Sequence, residues 1–420
     1  MNVLKYTTLF LLFLFLHFIE GLPSIEGISI GQLWKIPIIM LLVALLLLSH
    51  RKFQNFEKTC YFYSIEPLFC PAIFTNPFSI ILFAFKQLPT MLFFNFWHRF
   101  NFEKLEKYLI WLAQFISLTS LVTLLNVVEP IRGYLDSENF VEGGEYYSSL
   151  FGAPHAASSY FVMSTVIMLY YLIKGRIKTK WAIFYNLILL MVSIYSLYIC
   201  YVRTGWFMLL LCVILFFDYT KITLKKFSLF LLSCLILVVG ILFLWQSSES
   251  FRARMSGTTR YNTESSGQVI DVNGSGRVDF WINGVTNWSQ NDTYGLLFGK
   301  GYDAVCEDNY KAFGNAVFSH SLFVDALCQY GIISLVLLLF YNLFIFRFIR
   351  KYYKHSDFGH LCLSLFIGSL IFNMFQSEIY FNYAIALSLA LALMYKTSSV
   401  KYIRKDYYKK QMESVLRDTI

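Results

Sequence analysis

Arg203, Arg277 and His320 each break the pattern of the residues around them. Arg203 sits in Tyr-Val-Arg-Thr-Gly-Trp, between two apolar runs. Arg277 opens Arg-Val-Asp-Phe-Trp-Ile-Asn-Gly-Val-Thr-Asn-Trp, and His320 stands in Ser-His-Ser-Leu-Phe at the mouth of a further apolar run. A guanidinium grips two phosphate oxygens at once through its planar fork of N–H groups. An imidazole has the ordinary pKa that suits a proton acceptor near neutrality. Two arginines and a histidine therefore have the chemistry to hold an anion and take a proton. Each residue also has a plainer role. Arg203 fits an arginine snorkelling to headgroups, Arg277 a solvated loop charge, and His320 an interfacial histidine. Arg203 is the least ordinary, since an arginine within hydrocarbon costs about 2.5–3.5 kcal/mol on insertion scales.

The elements that must position these residues follow from composition. The chain is 57% hydrophobic and 15% charged, whereas soluble domains carry roughly 25% charged residues. The runs Tyr108 to Val128, Trp181 to Tyr201, Phe227 to Trp245 and Ser321 to Phe346 reach the ~20 residues a helix needs to cross hydrocarbon. They lack the alternation of a barrel strand, and only helices and closed barrels satisfy their backbone in lipid. The predicted fold is all-α: a polytopic transmembrane bundle of about twelve spans, with one large polar loop containing short helices.

The net charge of +9 lies mainly in short stretches between spans: Arg51-Lys52, Lys174 to Lys180, Lys221 to Lys226, Arg347 to Lys354 and the tail from Lys396. That distribution orients a membrane protein and argues against a nucleic-acid partner. The eight cysteines are scattered, most of them in or beside apolar runs, so no disulfide framework is implied. The N-terminus resembles a signal peptide but has no small-residue cleavage site, and another span follows. It reads as an uncleaved first span.

With the basic turns cytoplasmic, residues 1–245 hold the first nine spans and 246–319 the outer loop. Residues 320–395 hold the C-terminal spans, 396–420 a basic cytoplasmic tail, and both termini are cytoplasmic. The stretch Phe62 to Trp97 contains Pro67, Pro71, Pro77 and Pro89. It reads as two short broken spans or as one span with an interfacial piece, and the charges favour two crossings. In the outer loop, Ser256 to Gly276 reads as flexible. Val278, Trp281, Val285 and Trp288 have helical spacing and predict a short amphipathic helix. Leu297-Phe-Gly-Lys-Gly-Tyr302 predicts a glycine-hinged turn.

The order of these motifs resembles the O-antigen polymerase and O-antigen ligase superfamily. The resemblance rests on Arg203-x-Gly between spans, a large outer loop with Arg277-x-x-x-Trp281, Phe-Gly-Lys-Gly-Tyr302, and His320-Ser321 before Gly331-Ile-Ile-Ser334. Phe151-Gly-Ala-Pro154-His155 is similar to the family's Gly…Pro-Asn element, with His155 in place of the usual Asn. Gln329 stands where an acidic residue is frequent. The resemblance covers roughly Phe151 to Leu339. It implies metal-independent, inverting glycosyl transfer on the outer face of a bacterial inner membrane, without a cofactor. The donor and acceptor partners would be glycans linked through pyrophosphate to a polyprenyl lipid such as undecaprenol.

On that resemblance, Arg203 and Arg277 would hold the departing pyrophosphate and His320 would take the proton of the acceptor hydroxyl. The loop helix would cover a cavity open to membrane lipid, with Trp281 at the interface or against sugar. Pro154, His155, Tyr302 and Asp325 are further candidates for substrate binding. Asp325 lies about 140° around a helix from His320, so no direct pair is expected and its role stays open. A chain-length regulator protein is a further possible partner.

Three functions fit. The first is a polymerase of lipid-linked repeat units, building O-antigen or capsular polysaccharide. The second is a ligase moving finished polysaccharide onto the lipid A core of lipopolysaccharide. The third is a flippase of lipid-linked sugars. Transporters usually carry ionisable groups near the midplane. The span interiors here look almost free of charge, which favours an enzyme at one face. The sequons at Asn273, Asn287 and Asn291 are coincidental on a bacterial reading. The repeat-unit sugars and the linkage formed are not legible.

Overall fold

The computed structural model describes residues 2–18, 24–25, 28–130, 147–216, 259–262, 269–272, 277–314, 316–376 and 381–398, with isolated positions 239, 242, 246 and 247. The predicted span Phe227 to Trp245, most of the stretch Ser256 to Gly276 and the tail beyond 398 lie outside the described residues. The helices are α1 (Asn2–Phe18), α2 (Ile30–Leu47), α3 (Asn55–Ile65), α4 (Pro77–Gln87), α5 (Pro89–Trp97) and α6 (Phe102–Leu124). They continue with α7 (Pro154–Ile173), α8 (Lys180–Ile199), α9 (Arg203–Leu215), α10 (Arg277–Ser289), α11 (Thr293–Phe298) and α12 (Tyr302–Phe313). The last three are α13 (Leu322–Tyr353), α14 (Gly359–Met374) and α15 (381–398). Two short antiparallel hairpins, Ser24–Ile25 with Ile28–Ser29 and Thr259–Asn262 with Val269–Val272, are the strand content among the described residues.

Among the described residues, five stretches are long and apolar enough to cross a membrane: Pro77–Trp97, Phe102–Leu124, Pro154–Ile173, Lys180–Ile199 and Leu322–Tyr353. Shorter apolar helices pack beside them. The chain is an all-α polytopic membrane protein.

Between apolar helices in lipid there is little hydrophobic gain, so small side chains and hydroxyl contacts hold them together. α7, enclosed by α6, α8, α9 and α14, shows this. Ser117 on α6 meets Ser164 on α7 at 2.9 Å and Ser193 on α8 at 2.6 Å. One turn on, Ser120 meets both Ser196 and the Tyr147 hydroxyl. The Gln114 amide donates to Asn186 at 3.1 Å.

The basic turns gather at one end. There Lys5 donates to the Arg99 carbonyl at 3.0 Å, Arg99 to that of Leu45, and Lys396 to that of Phe100. Arg176 pairs with Glu106 and Asp357, and Arg51 pairs with the buried Glu57. The charge pattern of the sequence is therefore realised as a spatial grouping.

Two helices break at the opposite end. After α3 the chain makes two 3-10 turns, Glu66–Phe69 and Pro71–Phe74, with prolines at their starts. The proline-rich stretch thus resolves into α3 with its two turns and the return Pro77–Trp97. The second break is within α13, where Gly331 has φ 84° and ψ −177°. The turn Gly299-Lys300-Gly301 seats on this break: the Gly301 N–H donates to the Gln329 carbonyl at 2.8 Å. A side-chain carbon on Gly331 would collide with the Leu297 carbonyl, and one on Gly299 with that of Gln329.

Gly331→Ala should therefore destabilise strongly. The left-handed φ alone costs about 1–3 kcal/mol, and the collision adds to it. A thermal midpoint in detergent equal to the wild type would show that the turn is not seated this way.

Candidate active site at the loop end of the bundle

His320 lies outside the helix predicted to contain it. α13 begins at Leu322, and His320 is held at φ 55° in the turn before it. This corrects the helical-wheel argument about Asp325, which assumed that both residues share one helix. Asp325 is buried, and its carboxylate accepts from the Ser319 N–H at 3.0 Å. It fixes the backbone one residue ahead of His320 rather than the imidazole itself. The carbonyl of the same Ser319 accepts the Trp281 indole N–H at 2.7 Å. The left-handed region is unfavourable for a residue with a Cβ, so these two bonds hold a strained turn in place.

The loop helix α10 covers this turn. Its buried face is Phe280 and Gly284, with Trp281 and Trp288 half-buried, while Val278 and Val285 are exposed. The predicted stripe is thus corrected in two of its four members. Helical spacing alone did not single out Gly284, whose missing side chain lets the helix approach Cys328 and Ser319 closely. Phe280 packs edge-on to Phe313 at 5.1 Å and lies 6.4 Å from the His320 ring. Burying one such ring contributes about 1.5–3 kcal/mol. The Trp281 bond adds to this in docking α10 on the turn.

Arg277, the first residue of α10, faces His320 electrostatically. Burial first, and the Arg277 charge second, push the imidazole down to about 4. The ring is therefore neutral at physiological pH, with a lone pair available. Tyr302, at the start of α12, joins through Phe318, whose ring lies 6.1 Å from Tyr302 and 4.6 Å from His320.

Arg203 is the first residue of α9. α9 and α14 run antiparallel: Cys212 bonds Ser364 through both backbone carbonyls, and the Cys212 and Met208 side chains lie against Gly368. Continuing that register brings Arg203 level with Asn373, at the loop end of α14. Pro154 and His155 begin α7 at the same end, where Ser158 and Leu197 close on Gly205. The Gln376 carbonyl just beyond α14 accepts the Leu322 N–H at 3.0 Å, which links this group to the His320 turn. His320, Arg277, Trp281, Asp325 and Tyr302 thus form one cluster. Arg203, Pro154 and His155 begin α9 and α7 at the same end of the bundle.

Two buried residues were passed over in the sequence. Glu66, in the first 3-10 turn, is buried beside Ser334, past the Gly331 break. Like Asp325, it lies at the loop end of the bundle, where the sequence places the polarity. Gln376 is the second. Proline spacing hinted that the chain breaks near Glu66, but nothing in the sequence ties Gln376 to His320. Among the described residues no three His, Cys, Asp or Glu side chains gather to hold a metal ion.

Asp325→Ala should leave the Ser319 N–H buried without a partner, at about 1–3 kcal/mol, and loosen the His320 turn. Asp325→Asn keeps an acceptor oxygen and should retain most activity. If Asn proves as poor as Ala in a transfer assay, the carboxylate charge rather than the bond is what matters.

Comparison with curated proteins gives no match. Residues 187–339 match the model of the family described as O-antigen ligase, a stretch that takes in Arg203, Arg277, His320 and the Gly331 break. Over that stretch the chain is similar to the O-antigen ligase family, in line with the resemblance to the O-antigen polymerase and ligase superfamily.

Proposed function

We propose that the protein is a polymerase of oligosaccharide repeat units linked through pyrophosphate to a polyprenyl lipid, acting on the outer face of a bacterial inner membrane. The observation that carries this reading is the half-buried His320, held in its turn under α10 with Arg277 at the start of that helix, at the end of the bundle away from the basic turns. The acceptor hydroxyl oxygen attacks the anomeric carbon of the donor, and its proton passes to the free imidazole nitrogen. The bond from the anomeric carbon to the phosphate oxygen breaks, and the electron pair leaves with the lipid pyrophosphate. Because attack comes from the face opposite the leaving group, the anomeric configuration inverts. Arg277 and Arg203 hold the developing negative charge through fixed donors, which is most effective where water is scarce.

This reading also gives Arg277 a second role. Free of substrate, its charge disfavours a protonated His320; once pyrophosphate neutralises it, the imidazole becomes a stronger base. Binding of the donor thus switches on the acceptor of the proton. α10, docked through Phe280 and Trp281, is the element that lifts to admit substrate and closes to exclude water.

A ligase that moves finished polysaccharide to the lipid A core would use the same three residues. The deciding assay supplies tagged lipid-linked repeat units with no lipid A acceptor. Ladders of longer chains support a polymerase. No growth until lipid A core is added makes the protein a ligase. Movement of the donor across liposomes without any new glycosidic bond would instead make it a flippase.

A further inference from the structure

Near α10 are buried polar atoms that the reaction scheme above does not use. Ser319, directly before His320, is fully enclosed, yet its hydroxyl makes no hydrogen bond among the described residues. Gln376 is 5% exposed, and the nitrogen of its side-chain amide is likewise without a partner. A buried donor or acceptor left unpaired costs about 1–3 kcal/mol. Other buried polar atoms among the described residues are also unpartnered, but these two flank the His320 turn, one directly before it and one bonded through its backbone to the residue two past it.

The Ser319 carbonyl accepts from the Trp281 indole, and the Trp281 ring lies 6.1 Å from that of Phe375, the neighbour of Gln376. The Gln376 carbonyl in turn accepts the Leu322 N–H, two residues past His320. Trp281 thus bridges the chain next to Ser319 and the chain next to Gln376. The Ser319 hydroxyl lies under Gly284 of the same helix, and Gln376 follows the Phe375 against which Trp281 packs.

We infer that Ser319 and Gln376 form the subsite that reads the hydroxyl groups of the acceptor sugar, under the cover of Trp281. This rests on the glycosyl-transfer reading given above. A hydroxyl and a primary amide can each both donate and accept, which matches a sugar's vicinal hydroxyls. Neither group carries charge, so neither competes with Arg203 and Arg277 for the pyrophosphate. A site that hydrogen-bonds a substrate hydroxyl also rejects analogues lacking it, because its own buried groups are then left unpaired. Ser319 and Gln376 therefore select the acceptor, whereas the arginines grip the donor.

The test uses the full-length protein in lipid nanodiscs, supplied with the lipid-linked oligosaccharide extracted from its native cells. Ser319→Ala and Gln376→Met remove the polar atoms and nearly keep the volume, and the backbone bond of Gln376 is untouched. Each variant should raise KM about tenfold, the worth of one neutral hydrogen bond, with kcat within about twofold. The double variant should raise KM about a hundredfold. Thermal midpoints should stay level or rise, since a group without a partner has been removed from the interior. Unchanged KM in both variants of an active enzyme overturns this inference alone. A midpoint that falls in step with activity also overturns it, by making the two residues structural. A wild type that forms no glycosidic bond with any acceptor removes the glycosyl-transfer reading and this inference with it.

Discussion

His320→Gln is expected to lower sugar transfer by about 10²–10⁴-fold, the usual contribution of a positioned general base, while the protein still inserts in the membrane and binds its lipid-linked donor. The size follows from the environment of the ring. His320 is half-buried beneath α10, and loss of solvent first and the Arg277 charge second push its pKa down to about 4, so a free lone pair is present at neutral pH. Glutamine fills similar space and keeps hydrogen-bonding capacity, but it cannot accept a proton. Full activity in this variant would remove His320 from the chemistry.

The same geometry predicts the pH profile. In the substrate-free protein the imidazole stays neutral until about pH 4, so the acid limb of kcat/KM should lie near there rather than at the ordinary histidine value of about 6.5. The limb of kcat, which reports the complex with bound pyrophosphate, should lie higher, because that anion offsets Arg277. Folding stability follows the opposite sense. The unfolded chain takes up the histidine proton at a higher pH than the folded one, so this residue costs stability progressively as pH falls from about 6.5 towards 4. Arg277→Gln should move the kcat/KM limb upward without restoring it to 6.5, since burial is the larger cause of the shift.

Arg277→Ala and Arg203→Ala are each expected to cost about 10²–10³-fold in kcat, comparable to the loss of one preorganised donor to a developing anion. Lysine at either position should rescue little, because an ammonium is a point donor and cannot fork two phosphate oxygens. The two positions are distinguishable. Arg277 stands against His320, so its loss changes the pH profile as well as the rate. Arg203 stands on α9, level with Asn373, so its loss should lower the rate and leave the pH profile in place. If Arg203→Lys retains wild-type turnover, bidentate grip of phosphate is not its task. If Arg203→Ala shifts the acid limb as Arg277→Gln does, both arginines lie on the imidazole and the division of roles fails.

The sequence by itself determined the solvent this protein lives in and the inventory of its site. Runs of about twenty apolar residues leave no choice but helices in lipid, and the basic turns between them specify which ends share a side. The structure gathers those turns at one end through Lys5, Arg99, Arg176 and Lys396. The order Arg203, Arg277, His320 and Gly331 was also enough to place the chain near its superfamily, because guanidinium, imidazole and glycine each do something that few other side chains can.

Which groups meet was left to the tertiary structure, and the reason is physical. Helical spacing gives a period but not the face that another element will press on, so Val278 and Val285 were assigned to a stripe that Phe280 and Gly284 in fact bury. Apolarity marks where a helix can begin, not where the backbone turns out of it. His320 was therefore drawn on a helical wheel when it sits in a left-handed turn ahead of the helix, and Asp325 acts on a backbone N–H instead of on its ring. Breaks in helices depend on what packs against them: Gly331 is an ordinary glycine until the Leu297 carbonyl occupies the place of its side chain. The buried Glu66 acquires meaning only from Ser334 beside it and the amide of Gln376 from the bond it lacks, and a one-dimensional pattern shows neither.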